Sequence, residues 1–443
     1  MTKTDEVVIE AVEKFSMYSN EIEKILFESL EQSKRQISKS KISKMLNGET
    51  SDALKEIVPL EIRRSAGLFF TSTKLAFQVA DFIAPILKKG FKIADPACGA
   101  GNLLIACAKY LPKCETFKET MEQWSNIILG YDLHPEFIRA TKLRLSLLAS
   151  SLHPEDKYNT SQFYSNKFFK DIKIGNVFDN NSFSRDTIIT VNPPYGYMNA
   201  PEHCEWGSGK IQIAGWFIES LLKNSPDGQH IVAILPDVLR SGSRYLRWRK
   251  LLESYCSSGE IKLIGRFDKY TDVDVFIFHG IAGKNIGHKI NWKTEESVDN
   301  SKLSDFFDVH VGTIVPHRDK IEGEFYPYLH ARSAKPWETL LCIPEKKQSL
   351  KKVFKSPFVV VHRTSSPTDK HRCIATVIDV KKEVAVENHL IVLRPKKGGV
   401  GNCKKLLKLL KAQETNDYMN KRIRCRHLTV SSIKSIPVAD NYF

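Results

Sequence analysis

The sequence predicts an α/β chain: a mostly parallel, Rossmann-like sheet with helices on both faces, a helical segment before it and an α+β domain after it. Three observations lead there. Between about 60 and 300, short apolar runs alternate with helical patterns, as strands joined by crossover helices require. Before residue 60, apolar residues recur three and four apart, the spacing of an amphipathic helix. After about 300 the alternation gives way to lysine pairs and proline-bounded segments. The divisions are therefore 1–60, 61–300 and 301–443.

In chain order, Val8, Val12 and Phe15, then Ile22, Ile25, Leu26 and Leu30, mark helices in 6–34 whose apolar stripes need a partner, either the body of the protein or another subunit. LAFQVADFIAPILKK (75–89), FIRATKLRLSLLASSL (137–152) and AGWFIESLLKN (214–224) read as helices. FKIADPACG (91–99), NIILGYDLH (126–134), DTIITVNPPYG (186–196) and HIVAILPDVL (230–239) read as buried strands running into loops. In the last division SPFVVVHRT and HLIVLRP read as strands and CKKLLKLLKAQ as a helix. Ligands in such sheets bind at the carboxyl ends of the strands.

Composition narrows the classes. With 443 residues and 42% hydrophobic content the chain can bury sizeable cores, which excludes disordered, collagen-like and disulfide-scaffold proteins. No apolar run reaches the roughly 18–20 residues of a membrane span, and Asp5, Glu6, Glu10 and Glu13 make the start too acidic for a secretory signal. Nine cysteines without a C-x-x-C pair fit a reduced, cytoplasmic compartment and no structural zinc. The net charge of +15 is unevenly spread. Residues 301–443 hold 27 Lys or Arg against 14 Asp or Glu, a net of +13, and the other 300 residues hold 39 against 37, a net of +2. A basic segment beside a nearly neutral body suits a polyanion-binding module, although a lysine-rich surface for solubility has the same composition.

The chemistry gathers at strand ends. Asp95-Pro96-Ala97-Cys98-Gly99-Ala100-Gly101 leads from a strand into a helix, and its glycines allow a sharp turn and close ligand approach. An acid beside exposed backbone amides suits a bound amino acid. Asp132, followed by Leu133 at the next strand end, can accept from ribose hydroxyls. Asn176, Val177 and Phe178 at a third could read an adenine edge and cover its face. Together, in this order, they outline an adenosyl amino acid site.

The most specific string is Asn192-Pro193-Pro194-Tyr195. Two prolines cannot continue a central strand. They hold the backbone so that the Asn192 side-chain carbonyl and the Pro193 main-chain carbonyl face the cleft. Two acceptors on one exocyclic NH2 tilt the nitrogen toward tetrahedral geometry and sharpen its lone pair for attack on a methyl group. Tyr195 offers a flat face to a flipped base. By contrast Gly207-Ser208-Gly209-Lys210 lacks the spacing of a phosphate-binding loop, and is expected to be a loop beside the catalytic string.

From Gly67 to about Gly283 the chain resembles the adenine-N6 DNA methyltransferases that use S-adenosyl-L-methionine. Gly67 to Ser72, including Thr71, resembles motif X, which lies against the methionine moiety. Asp95 to Gly101, with Ala97, Cys98 and Gly99, resembles motif I, Asp132 motif II, Gly175 to Phe178 motif III, and Asn192 to Tyr195 catalytic motif IV. Motif X before motif I and a basic domain after the catalytic one is the order of the gamma group, whose target-recognition domain is C-terminal. One departure is Asn176, where family members carry Asp; Asn both donates and accepts. The resemblance implies that Phe267 packs with Tyr195 on a flipped base.

These readings imply a site-specific enzyme that moves a methyl group from S-adenosyl-L-methionine to N6 of an adenine flipped out of double-stranded DNA, as the modification component of a restriction-modification or related defence system. Arg363, Arg424 and Arg426 are the expected DNA contacts, and His362–Ser366 with Asn388-His389 the candidates for base reading. No nuclease motif is evident, so a cognate endonuclease or other defence subunit would be a separate chain. Neither metal nor membrane is called for. The alternative is a ribosomal RNA adenine or guanine amino-methyltransferase, which would use the same tetrad and also want positive charge. A protein-glutamine methyltransferase would not need the basic domain, and a degenerate DNA-binding relative would not need an intact tetrad.

Overall fold

The computed structural model describes residues 3–31, 39–46, 71–160, 163, 168–176, 178, 183–268, 273–284, 289–292, 301–319 and 322–443. They form two compact units, one of 1–239 with 247–290 and one of 240–246 with 291–443. Gly67 to Phe70 and Val177 lie outside the described residues.

The first unit opens with α1 (Lys3–Glu31) and α2 (Lys39–Leu46). The α/β alternation follows: α3 (Thr73–Leu87), β1 (Lys92–Asp95), α4 (Asn102–Ala108), α5 (Phe117–Ile127), β2 (Ile128–Asp132), α6 (Pro135–Leu152), β3 (Ile172–Ile174) and β4 (Thr187–Val191). A hairpin of β5 (Tyr197–Asn199) and β6 (Lys210–Gln212) precedes α7 (Ile213–Asn224), β7 (His230–Pro236), α8 (Leu246–Tyr255), β8 (Cys256–Arg266) and β9 (Asp274–Ala282). The sheet order is β3-β2-β1-β4-β7-β9-β8. The first five strands are parallel, and β9 runs antiparallel to both β7 and β8. The chain runs outward from β1 to β3 and resumes on the other side at β4, so the order reverses between β1 and β4. That reversal opens a crevice at the strand ends.

Local chemistry sets these boundaries. Ser72 caps α3 by accepting from Leu75 N, and Thr116 with Glu119 forms a capping box on α5. Strand β4 is buried throughout, as a central parallel strand must be, and stops where Pro193 removes the next donor. The expected N-terminal helices are one continuous helix, because Phe15, Tyr18, Ile22, Ile25 and Leu30 keep to one buried face. That face finds its partner within the chain, on α6: Phe15 meets Phe137 edge-on at 5.1 Å, and Arg139 pairs with Glu23 at 2.8 Å.

The second unit is α+β. It holds a five-stranded sheet in the order β11-β18-β15-β16-β13, a three-stranded sheet β14-β12-β17 and a separate pair β10-β19. Their ranges are β10 (Ser301–Lys302), β11 (Phe307–Val311), β12 (Glu324–Leu329), β13 (Thr339–Leu340), β14 (Lys346–Ser349), β15 (Phe358–His362), β16 (Ala375–Ile378), β17 (Ala385–Val386), β18 (Leu390–Pro395) and β19 (Pro437–Val438). Val359 and Val361 of β15 pack under α9 (Gly399–Lys411) and α10 (Gln413–Arg422), while Phe358 and Val360 face a second core with Leu329 and Val386. Period-2 alternation therefore serves two cores at once. Among the described residues no helix is long and apolar enough to cross a membrane.

Candidate active site

The loop leaving β1 is wound tightly. Gly99 and Gly101 have φ of 51° and 83°, and a Cβ on Gly101 would lie 2.8 Å from the Thr141 methyl carbon. Only glycine fits both the dihedral and the space. Thr141 Oγ1 donates to the Gly99 carbonyl at 2.9 Å, and Cys98 N donates to the Tyr131 carbonyl at 2.9 Å. Asp132 at the tip of β2 accepts from Gly99 N and from His134 N, both at 2.9 Å. The carboxylate expected to meet ribose thus also holds the loop, and its oxygens retain further lone pairs for a ligand.

Behind the loop lies a group that the sequence reading missed. Arg144 of α6 is 1% exposed. It donates to the carbonyls of Ala100 at 2.5 Å and Met45 at 3.0 Å, and to Asn102 Oδ1 at 2.6 Å. Asn102 Nδ2 in turn donates to the Thr71 carbonyl at 2.6 Å. The signal was present in the sequence: Phe137, Thr141, Arg144 and Leu148 share one helical face, so an arginine there is buried and needs acceptors.

Thr71, Asp95, Ala97, Cys98, Gly99, Asn102, Leu103 and Asn192 line one pocket at the crevice. Register brings the two motifs together: Ala94 pairs with Ile189, so Asn192 stands just past the end of β4, beside the loop that leaves β1. Asp95 is 2% exposed and accepts from Ala97 N at 3.0 Å. Burial pushes its pKa up to about 8, and the charge of Asp132 adds to the rise. Among the described residues no positive side chain offsets it. A buried acid in that state suits a cationic ligand, and the ammonium and sulfonium of S-adenosylmethionine fit that requirement. Burial likewise raises Asp132, against the pull of the His134 and Gly99 amides, and keeps the Cys98 thiol protonated. Leu133 at the tip of β2 and Ile174 at the tip of β3 are 66% and 57% exposed, two apolar surfaces that a purine could cover. Asn176 is exposed, and its side-chain oxygen accepts from Phe178 N at 3.1 Å.

In the catalytic string Tyr195 is buried, and its hydroxyl donates to the Ile234 carbonyl at 3.2 Å. Phe267 stands edge-on to it, with ring centroids 5.7 Å apart at 72°. The two are brought together, but not as parallel plates. Gly207 to Lys210 forms the return of the β5–β6 hairpin, where Ala200 N donates to the Gly209 carbonyl. In the second unit Arg363 follows β15, and residues 426–428 run beside it, with Ser365 N donating to the Arg426 carbonyl at 2.9 Å. Arg424 is half-buried and Arg426 exposed on that segment.

Residues 60–256 match the family model described as N-6 DNA Methylase. No curated protein matches the chain. Among solved structures it is similar to the type IIG restriction endonuclease BpuSI, at 15% identity over 86% of this chain and 60% of that one, with a TM-score of 0.44. It is also similar to the type IIL restriction-modification enzyme MmeI in complex with DNA, at 12% identity over 88% and 70%, TM-score 0.46. A third is the type I restriction enzyme EcoKI M protein, at 14% over 64% and 66%, TM-score 0.36. The chain thus spans about 60% of the length of BpuSI.

Proposed function

We propose that this chain, residues 60–256 of which match the N-6 DNA Methylase model, moves a methyl group from S-adenosylmethionine to N6 of an adenine flipped out of duplex DNA, as the modification component of a restriction-modification or related defence system. One observation carries the reading: Asp95 and Asn192, from strands on either side of the sheet's reversal point, line the same pocket.

The cofactor, when bound, supplies an electrophilic methyl group on a positively charged sulfur. Asp95 receives the ammonium end, and Asp132 the ribose. Thr71 and Asn102, held by Arg144, fix the wall beside them. Asn192 and the Pro193 carbonyl accept the two amino protons of the base. Tyr195, pinned by its hydroxyl, supports one ring face. Held by these two acceptors, the amino nitrogen would present its lone pair to the methyl group that the cofactor would supply, and the proton made acidic on N6 would leave to water. Positioning and fixed dipoles supply most of the acceleration. The basic second unit holds the duplex, largely through phosphates.

The test is incubation with methyl-labelled cofactor and either duplex DNA or ribosomal RNA, followed by digestion to nucleosides. Label in DNA as N6-methyladenine is expected. Asn192→Ala should lose transfer by about 100- to 1000-fold, as removal of one transition-state hydrogen-bonding group does, while cofactor binding persists. Label in ribosomal RNA alone, or normal transfer by Asn192→Ala, would overturn the proposal.

A further inference from the structure

We infer that one end of the five-stranded sheet in the second unit, built around Arg363, Ser365 and Asn388, reads base edges in duplex DNA; this rests on the methyltransferase reading above. Three segments meet there. Arg363 N donates to the His389 carbonyl at 2.9 Å, Leu428 N to the Arg363 carbonyl at 2.7 Å, and Ser365 N to the Arg426 carbonyl at 2.9 Å. Thr364 bridges to His427, their side chains 3.3 Å apart.

The framework beneath is rigid. Arg372 is fully buried, and its guanidinium donates to the carbonyls of Ser365 at 2.6 Å, Ile423 at 2.9 Å and Cys425 at 2.8 Å. It fastens the loop after β15 to the segment carrying Arg424 and Arg426. No carboxylate takes part in these bonds, so the arginine acts as a staple between carbonyl groups.

Against that rigidity, hydrogen bonding at this end is incomplete. Buried side-chain atoms of this unit without a partner among the described residues gather here: Arg363 Nε, Ser365 Oγ, Asn388 Oδ1 and Asn420 Oδ1. Asn420 belongs to the same place, since its Nδ2 donates to the Pro367 carbonyl at 3.4 Å. Folded interiors leave few such groups, and their gathering marks where a polar partner is expected. The shielding is shallow. Ser365 is buried, but Arg363 and Asn388 are only half-buried, while Thr364, His389, Arg426 and His427 are exposed, so side-chain rotation, the usual response at an interface, presents the Arg363 and Asn388 atoms.

The unmet set selects the ligand class. Arg363 Nη1 donates to the Asn388 carbonyl at 3.4 Å, but its Nε needs an acceptor, Asn388 Oδ1 needs a donor, and Ser365 serves as either. A phosphate offers acceptors only and would leave Asn388 unmet. A base-pair edge offers both: guanine O6 and N7 accept, and the amino groups of cytosine and adenine donate. The nearby acids are already engaged, Glu387 by His389 at 3.1 Å and by Ala331 N at 3.1 Å, and Asp369 by Ser366 N at 2.6 Å.

The experiment selects duplexes from a random pool on the full-length chain and compares wild type with Arg363→Lys, Arg363→Ala and Asn388→Ala. The wild type should enrich a defined sequence. Each variant should lose about 10- to 100-fold discrimination at one or two positions of it, while melting within a few degrees of wild type and binding mixed-sequence DNA nearly as well. Arg363→Lys keeps the charge but not the planar fork, so a phosphate contact would leave its selected sequence unchanged. That result, an unchanged sequence with Asn388→Ala, enrichment of hairpin RNA instead, or no enrichment by the wild type would each overturn the inference. Selection needs no methyl transfer. If the wild type selects a sequence that it cannot methylate, the catalytic reading fails while this one stands.

Discussion

Replacing Asp95 with Asn should stabilise the cofactor-free protein while removing its function. The carboxyl titrates near 3.8 when unfolded and at about 8 in the folded chain. Between those values the native state holds more protons than the unfolded one, so this group lowers stability as pH rises, with the loss complete above about 8. At about 1.36 kcal/mol per unit, the penalty is roughly 1.5 kcal/mol at pH 5 and roughly 4 kcal/mol at pH 7. Asp95 is 2% exposed, so solvent screens little of it. Asn keeps the oxygen that accepts from Ala97 N and never ionises. Asp95→Asn should therefore raise the melting temperature of the first unit by about 8 °C at pH 7, and by much less at pH 5. The assay is thermal unfolding of wild type and variant from pH 5 to 8, without cofactor. A stability difference that stays flat across that range would refute the argument.

Two further outcomes follow from the same pocket. A cation bound beside Asp95 favours its ionised form, so wild-type affinity for S-adenosylmethionine should rise from pH 6 to about 8, by up to about tenfold per unit. Calorimetry in buffers of different ionisation enthalpy should record a released proton, and Asp95→Asn should release none. Arg144→Met should cost about 3–5 kcal/mol by leaving the carbonyls of Ala100 and Met45 without their donor; denaturant unfolding checks it, and a loss under about 1 kcal/mol would show that water replaces the guanidinium.

The strand-tip residues were legible because their signals are local. Asp95 with its glycines, and Asn192 with its prolines, interrupt apolar runs with residues that a strand rejects, whatever surrounds them. The groups that hold those tips are not local. Thr141 and Arg144 lie about 40 residues beyond the loop they fasten, and only packing of α6 reveals the pairing. The second unit was harder to read for two reasons. Its sheet order follows long-range register, so β18 lies between β11 and β15. Helix α10, QETNDYMNKR, buries only Thr415, Asn416 and Met419, and so presents no apolar stripe to a periodicity argument.

The uneven charge has a physical rationale if the chain methylates duplex DNA. On that reading the first unit must receive a cation: among the described residues its pocket keeps Asp95 buried with no guanidinium or ammonium lining it. A lysine or arginine there would lower the carboxyl's pKa and compete with the cofactor for it. The other substrate is a polyanion, which needs many such groups. One surface cannot serve both demands. Placing a net +13 in residues 301–443 and +2 in the other 300 gives the duplex its positive surface and leaves Asp95 available to the cofactor.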